Sequence, residues 1–319
     1  MKIQVMTFPF GECGEGPTRC LEDSKHEISY VSSRVLPEEV AQLIEGCDAI
    51  VAGTEPYTKA VLDGCPNLKV ISRVGVGVDS VDLAECKARG IVVTYTPEAP
   101  ADGVAELAVA QILNLLRGTR LADQSVREGR WDRRMGSLVR ENVIGILGVG
   151  RIGKRVARLL QPFRPVLFGC DLAPDNAFAS EHSMTWTTLD NLFHICDLVS
   201  IHVPLNRRNR HLVGRDQILR MFPGGFLVNT ARGPIVDTGA VIEALRSGRL
   251  AGYAADVFDE EPYRGPLVGE PNAFLTPHIG SCASKCRNNM EMEAVLDCLN
   301  VLAGGEPFSP VPEELTDEA

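Results

Sequence analysis

The sequence predicts an α/β protein built from two doubly wound parallel-sheet units, and three observations predict it. Short β-branched runs alternate with helical patterns along most of the chain, the arrangement that parallel strands joined by crossover helices require. A long helical stretch near the middle interrupts this alternation, which then resumes. The strand that reopens it runs directly into Gly148-Val149-Gly150-Arg151-Ile152-Gly153, a G-x-G-x-x-G turn that opens a helix.

At 319 residues the chain exceeds what one ordinary core fills, so two domains are expected. Its formal net charge of -10 repels phosphate backbones, which excludes nucleic acid as a partner. Met1 to Phe8 lacks the apolar core and small-residue cleavage site of a signal peptide and reads as a strand. No apolar stretch approaches the roughly 20 residues a membrane helix needs, so no membrane partner is expected. Ten cysteines are scattered without a dense pairing pattern, which predicts reduced thiols and a cytoplasmic location.

In the first unit the expected strands are Ile3 to Phe8, Ile28 to Ser32, Ala49 to Ala52, Lys69 to Val74 and Ile91 to Tyr95. Helices are expected between them, at Pro37 to Ile44 and Thr58 to Leu62. One long helix is expected over Ala101 to Glu128, with Val104, Leu107, Ala108, Ile112 and Leu115 at helical spacing. The second unit then offers strands at Val143 to Leu147, Pro165 to Cys170, Leu198 to Val203, Gly225 to Asn229, Gly252 to Val257 and Ala273 to Thr276. A last helix is expected over Ser284 to Ala303, and the acidic tail Glu313 to Ala319 should fray. Cys282 and Cys286 follow His278 at four-residue steps. No second ligand pair accompanies them, so they read as two small apolar side chains on one helix face, and no metal is expected.

Each glycine of the turn has a task in a dinucleotide site. Gly148 permits the tight turn, Gly150 lets backbone touch a pyrophosphate, and Gly153 lets the helix pack closely on the strand. The helix N-terminus then offers free N–H groups to the phosphates. Asp171 ends the next strand, 18 residues past Gly153, where a carboxylate would accept hydrogen bonds from ribose hydroxyls. It would also repel a 2′-phosphate, and Leu172, Ala173 and Pro174 bring no arginine, so the expected cofactor is NAD. This half is therefore Rossmann-like.

Four further motifs stand in order: Arg73-Val74-Gly75-Val76-Gly77-Val78-Asp79, Asn229-Thr230-Ala231-Arg232-Gly233, Asp256-Val257-Phe258-Asp259-Glu260-Glu261-Pro262 and Thr276-Pro277-His278-Ile279-Gly280-Ser281. With them the sequence resembles the D-isomer-specific 2-hydroxyacid dehydrogenases over nearly its whole length. The resemblance implies that Arg232 binds the substrate carboxylate and polarises its keto oxygen, a task suited to a planar, permanently charged fork of donors. It implies that His278 is the general acid/base and that Glu261, 29 residues after Arg232, is its carboxylate partner. Val76 and Gly77 would offer backbone N–H groups to the substrate carboxylate. Cofactor contacts are implied for Arg151, Ile152, His202, Pro204, Thr230, Ala231, Asp256, His278 and Gly280, with Asp256 holding the nicotinamide end.

The implied activity is hydride transfer between NAD(H) and C2 of a small D-2-hydroxy or 2-keto acid. The implied layout is a cofactor domain, residues 98–282, inserted in a discontinuous, flavodoxin-like substrate domain, residues 1–97 and 283–319. A homodimer built on the central helix and the arm after it is also implied. Two features depart from the family: Thr96-Pro97-Glu98-Ala99-Pro100 replaces the usual Thr-Pro-Gly-x-Asn, and Ala52-Gly53-Thr54-Glu55 lacks the arginine of phosphoglycerate dehydrogenases. Glu55 would repel a substrate phosphate that it faced, unless Arg73 or Arg134 supplied the missing charge. Other readings of the same scaffold are an NAD(H)-sensing corepressor-like binding protein and a phosphite or formate dehydrogenase.

Overall fold

The computed structural model describes residues 1–312 and 315. Apart from Leu315, the expected frayed tail lies outside the described residues. The elements run in chain order as β1 (Lys2–Val5), α1 (Gly16–Glu22), β2 (Glu27–Tyr30), α2 (Val40–Leu43), β3 (Ala49–Ala52), α3 (Lys59–Leu62), β4 (Val70–Arg73), α4 (Leu83–Arg89) and β5 (Val92–Thr94). Then come α5 (Ala101–Arg117), α6 (Thr119–Arg127), β6 (Val143–Leu147), α7 (Arg151–Leu160), β7 (Val166–Cys170), α8 (Asn176–Glu181), β8 (Met184–Trp186), α9 (Leu189–Ile195) and β9 (Leu198–Ile201). The chain continues through α10 (Arg215–Arg220), β10 (Gly225–Asn229), α11 (Thr238–Ser247), β11 (Leu250–Ala255), β12 (Ala273–Leu275) and α12 (Ser284–Leu302).

The chain divides into two compact units. One comprises Met1–Pro100 and the described residues from Ser281 on; the other is Ala101–Gly280. The first contains a five-stranded sheet ordered β2-β1-β3-β4-β5, and the second a seven-stranded sheet ordered β12-β11-β10-β9-β6-β7-β8. Every ladder pairing two named strands is parallel. Parallel sheets are covered on both faces, which is why a central strand such as Ala49-Ile50-Val51-Ala52 is apolar and buried at every position. In the first unit α12 packs on β3, β4 and β5, burying Met290, Ala294, Val295 and Cys298 against Ile3, Val51 and Val70. In the second unit α5 lies on α7, β10 and β11, and α11 covers β11.

The expected α/β architecture with two parallel sheets is present. Two local expectations need correction, and one strand was not anticipated. The long central helix is two helices, because Gly118 adopts a left-handed conformation (φ 58°) between α5 and α6. β8 escapes a reading by pattern because three residues are too few to show a period. Cys282 is exposed and precedes α12, while Cys286 is buried within it, so the two cysteines do not share a helix face. Among the described residues no group of three or more His, Cys, Asp or Glu is placed to hold a metal ion. No helix among them is long and apolar enough to cross a membrane.

Candidate active site

Because the seven strands of the second unit are parallel, the loops after β6, β7, β9, β10, β11 and β12 all leave the same edge of the sheet. That edge is where ligands bind in open α/β folds. All the candidate residues of this unit lie there. The strand order reverses between β6 and β9, so the Gly148–Gly153 turn sits beside the switch point.

The turn is built by close contact. Gly148 has φ 89°, and a Cβ on Gly153 would lie 2.1 Å from the Gly148 carbonyl oxygen, so any side chain there would force α7 off the strand. A Cβ on Gly150 would meet nothing within 4 Å, which leaves its outer face free for a ligand to approach. Arg151, Ile152 and Gly153 form the first turn of α7, whose N-terminal N–H groups suit phosphate. The Asp171 carboxylate accepts from the Val149 amide at 2.7 Å and from the Ala173 amide at 2.9 Å. It thus stands beside the glycine turn, where a ribose would follow the phosphates. These features fit a dinucleotide.

His202 follows β9. Its Nε2 is 2.8 Å from the Ser200 hydroxyl and its Nδ1 3.5 Å from the Thr230 hydroxyl, and its amide donates to Leu147 O. Pro204 is exposed two residues on, while Thr230 and Ala231 are buried. Burial pushes the His202 imidazole down to about 3. In the unfolded chain this histidine takes a proton below about pH 6.5. Between these values the unfolded state holds the extra proton, so stability should fall on acidification by roughly 1.4 kcal/mol per pH unit at the steepest. Chemical denaturation of wild type and His202→Gln at pH 7 and pH 5 checks this: the variant should lose less. An equal loss in both proteins would refute it.

Arg232 follows β10 on a turn that two neighbours shape. The buried Asn229 side chain accepts from the Ala231 amide at 3.0 Å and donates to the Arg232 carbonyl at 2.9 Å. A Cβ on Gly233 would fall 2.0 Å from the Phe258 carbonyl carbon, so only glycine lets the loop after β11 come this close. That approach brings the Arg232 and Glu261 loops together.

Glu261 Oε2 lies 2.8 Å from His278 Nδ1, with the side chains 30% and 35% exposed, so the pair is sheltered but reachable. Burial opposes ionisation of Glu261. The hydrogen bond and charge of His278, the Phe258 amide and the Arg232 guanidinium outweigh it and hold the carboxyl below its usual value. An ionised carboxylate only accepts, so His278 Nδ1 carries the proton of this bond. The electrostatic influence of Arg232 on Glu261 places all three groups in one neighbourhood.

His278 has φ 54°, a left-handed conformation that costs a side-chain-bearing residue of order 1 kcal/mol. Asp256 holds it there. The Asp256 carbonyl accepts from the His278 amide at 2.9 Å, and its carboxylate accepts from the Ile279 and Gly280 amides at 2.9 and 2.8 Å. The Thr276 hydroxyl donates to the same carboxylate at 2.6 Å and accepts from the fully buried Gln111 amide at 3.1 Å. Burial pushes the Asp256 carboxyl up against these donors. Asn229, Thr276 and Gln111 were not legible as site residues, since each acts on backbone or on another side chain far away in sequence.

In the first unit the turn after β4 is fixed from two sides. The Gly75 amide donates to the Thr96 hydroxyl at 2.8 Å, and Arg73 Nε donates to the Gly77 carbonyl at 2.9 Å. Arg73 Nη1 donates to the Ala52 carbonyl at 3.1 Å and also to the Gly53 carbonyl. The side chain is buried and donates to backbone carbonyls on both sides, so Arg73 braces the two loops. Arg134 is exposed on the segment after α6.

A family model described as D-isomer specific 2-hydroxyacid dehydrogenase, NAD binding domain, matches residues 109–280. A glyoxylate reductase of Thermofilum pendens is 38% identical over 290 residues, 87% of this chain and 85% of its own. A hydroxypyruvate reductase of Thermotoga maritima is 32% identical over 279 residues, 85% of this chain and 90% of its own. Among solved structures, a D-lactate dehydrogenase of Aquifex aeolicus complexed with NAD and lactic acid superposes with a TM-score of 0.84 at 26% identity, covering 95% of this chain and 96% of its own.

Proposed function

Since the chain belongs to the D-isomer specific 2-hydroxyacid dehydrogenase family, whose NAD-binding domain it carries, we propose that it reduces a small 2-keto acid at C2 to the D-2-hydroxy acid. The observation that carries this reading is the His278–Glu261 hydrogen bond of 2.8 Å, with Arg232 acting on the same carboxylate. Bound NADH supplies the hydride. The Arg232 guanidinium holds the substrate carboxylate and polarises the keto oxygen. His278 Nε2 then gives that oxygen its proton, and Glu261 stabilises the imidazolium through Nδ1.

The turn Arg73–Asp79 is proposed to offer the Val76 and Gly77 amides to a carboxylate. Asp171 is proposed as the ribose acid, with cofactor contacts from Gly148, Gly150, Arg151, Ile152, Gly153, His202, Pro204, Thr230, Ala231, Asp256, His278 and Gly280. Asp256 is proposed to act on the nicotinamide end chiefly by fixing the 276–280 loop, because both its oxygens already accept from that loop.

The relatives named glyoxylate and hydroxypyruvate reductase support a two- or three-carbon keto acid as substrate. A homodimer is proposed on the segment after α6, which leaves Trp131 79% and Met135 98% exposed, apolar area that a second copy would cover. None of the ten cysteines forms a disulfide, which suits a reducing compartment, so a cytoplasmic location is proposed. The test is oxidation of NADH and of NADPH with glyoxylate, hydroxypyruvate and pyruvate. Turnover of at least one keto acid, faster with NADH, is expected; no turnover of any would end the proposal.

A further inference from the structure

Gln111 stands where the pattern of α5 calls for an apolar side chain. It continues the line of Val104, Ala108 and Leu115 at steps of three and four residues, and the buried Ile112 follows it. The glutamine is itself fully buried. Its Oε1 meets no donor among the described residues. An amide oxygen buried without a donor opposes folding, whereas a leucine in the same place would leave nothing unsatisfied. Gln111 therefore costs stability where it stands, and its other polar atom shows what it does there.

Gln111 Nε2 donates to the Thr276 hydroxyl at 3.1 Å. That hydroxyl gives its one hydrogen to Asp256 Oδ1 at 2.6 Å, so it can only accept from Gln111. A hydroxyl that accepts one hydrogen bond donates the next more strongly. Asp256 Oδ1 also accepts from the Ile279 amide at 2.9 Å, and Oδ2 accepts from the Gly280 amide at 2.8 Å. Burial favours the neutral form of this carboxyl, so Asp256 needs its donors to stay ionised and keep hold of the loop.

α5 meets the same loop at a second point. A Cβ on Gly280 would stand 3.2 Å from Val104 Cγ2 and 3.2 Å from Asp256 Oδ2. Val104 lies two turns before Gln111 on the same helix face. The loop is thus held by packing at Gly280 and by the relay at Thr276. His278, in its left-handed conformation, sits between the two. Every residue of the relay belongs to one compact unit, Ala101–Gly280.

We propose that Gln111 is a positioning residue for the reaction: through Thr276 and Asp256 it fixes the loop that carries His278, and the chain gives up stability to keep it. This rests on the reading of His278 as the proton donor.

The test is Gln111→Leu, which fills a similar volume with no polar atom. Wild type, this variant, Thr276→Val and the double variant are assayed with whichever of glyoxylate, hydroxypyruvate and pyruvate wild type reduces fastest. Gln111→Leu should melt at or above the wild-type temperature, yet its kcat should fall roughly 10–100-fold, the scale of a small displacement of a catalytic group. KM for the keto acid should change less than kcat, because Arg232 holds the carboxylate from another loop. In the Thr276→Val background the leucine should lower kcat by less than about twofold, since the relay is already cut. Amide hydrogen exchange needs no turnover: residues 278–280 should exchange about tenfold faster in Gln111→Leu than in wild type. A merely structural role would lower the melting temperature and leave that local exchange unmoved, and either result counts against the proposal. Wild-type kcat in Gln111→Leu, or a leucine effect undiminished beside Thr276→Val, overturns it and leaves the dehydrogenase reading standing. A wild type that reduces none of the three acids ends that reading instead; exchange at 278–280 then decides the relay alone, and unchanged protection overturns it.

Discussion

Replacing His278 by alanine is expected to lower kcat for keto-acid reduction by about 10²–10⁴-fold, the usual contribution of a positioned acid/base, while NADH binding stays near that of wild type. The separation follows from where the loop is held. Asp256 binds the backbone amides of residues 278, 279 and 280, and none of these bonds involves the imidazole. Removing the ring should therefore leave the 276–280 loop in place. Alanine still has to occupy φ 54°, so some loss could come from strain. His278→Asn separates the two effects, because asparagine visits the left-handed region more readily than alanine. Recovery of activity in the asparagine variant would point to strain; equal loss in both points to chemistry. An alanine variant that keeps most of its turnover would remove His278 from the mechanism.

Arg232→Ala should reduce kcat/KM for the keto acid by about 10³-fold, as expected from losing two charge-assisted hydrogen bonds to one carboxylate. Lysine should recover only part of this, since it keeps the charge and loses the fork. A second consequence has a definite sign. Arg232 helps to keep the Glu261 carboxyl below its usual value. Without it that carboxyl titrates at a higher pH, so activity should begin to fail earlier on acidification. The pH profile of residual activity in Arg232→Ala checks this. A variant with unchanged KM and unchanged kcat would contradict the assignment, and an unmoved acid limb would contradict the electrostatic link.

Much of the fold was legible because its strands are buried on both faces. Ala49–Ala52 and Val143–Leu147 begin and end where their apolar runs do, and Gly225–Asn229 extends one polar residue past its own. The break at Gly118 was hidden because apolar spacing continues across it, and one glycine within a helical pattern does not announce a left-handed turn. The phosphate turn could be read from residues alone, since its glycines, strand and helix are contiguous. Glu261 could not: Asp259, Glu260 and Glu261 are three adjacent acids, and only similarity to a family singled one out. The bracing residues were invisible for another reason. Asp256 takes hydrogen bonds from amides 23 and 24 positions later, and Gln111 reaches Thr276 across 165 positions. Such pairings leave no local pattern.

The bond between Asp171 and the Val149 amide bears on any attempt to redesign the enzyme for the phosphorylated dinucleotide. If Asp171 is the ribose acid as proposed, swapping it for a small neutral residue is the obvious first edit, because that would clear room and remove repulsion. Here the same edit also unties the glycine turn from the strand beside it. A redesign would have to restore that tether with another acceptor, or the gain in tolerance for the larger coenzyme would be offset by a looser grip on both.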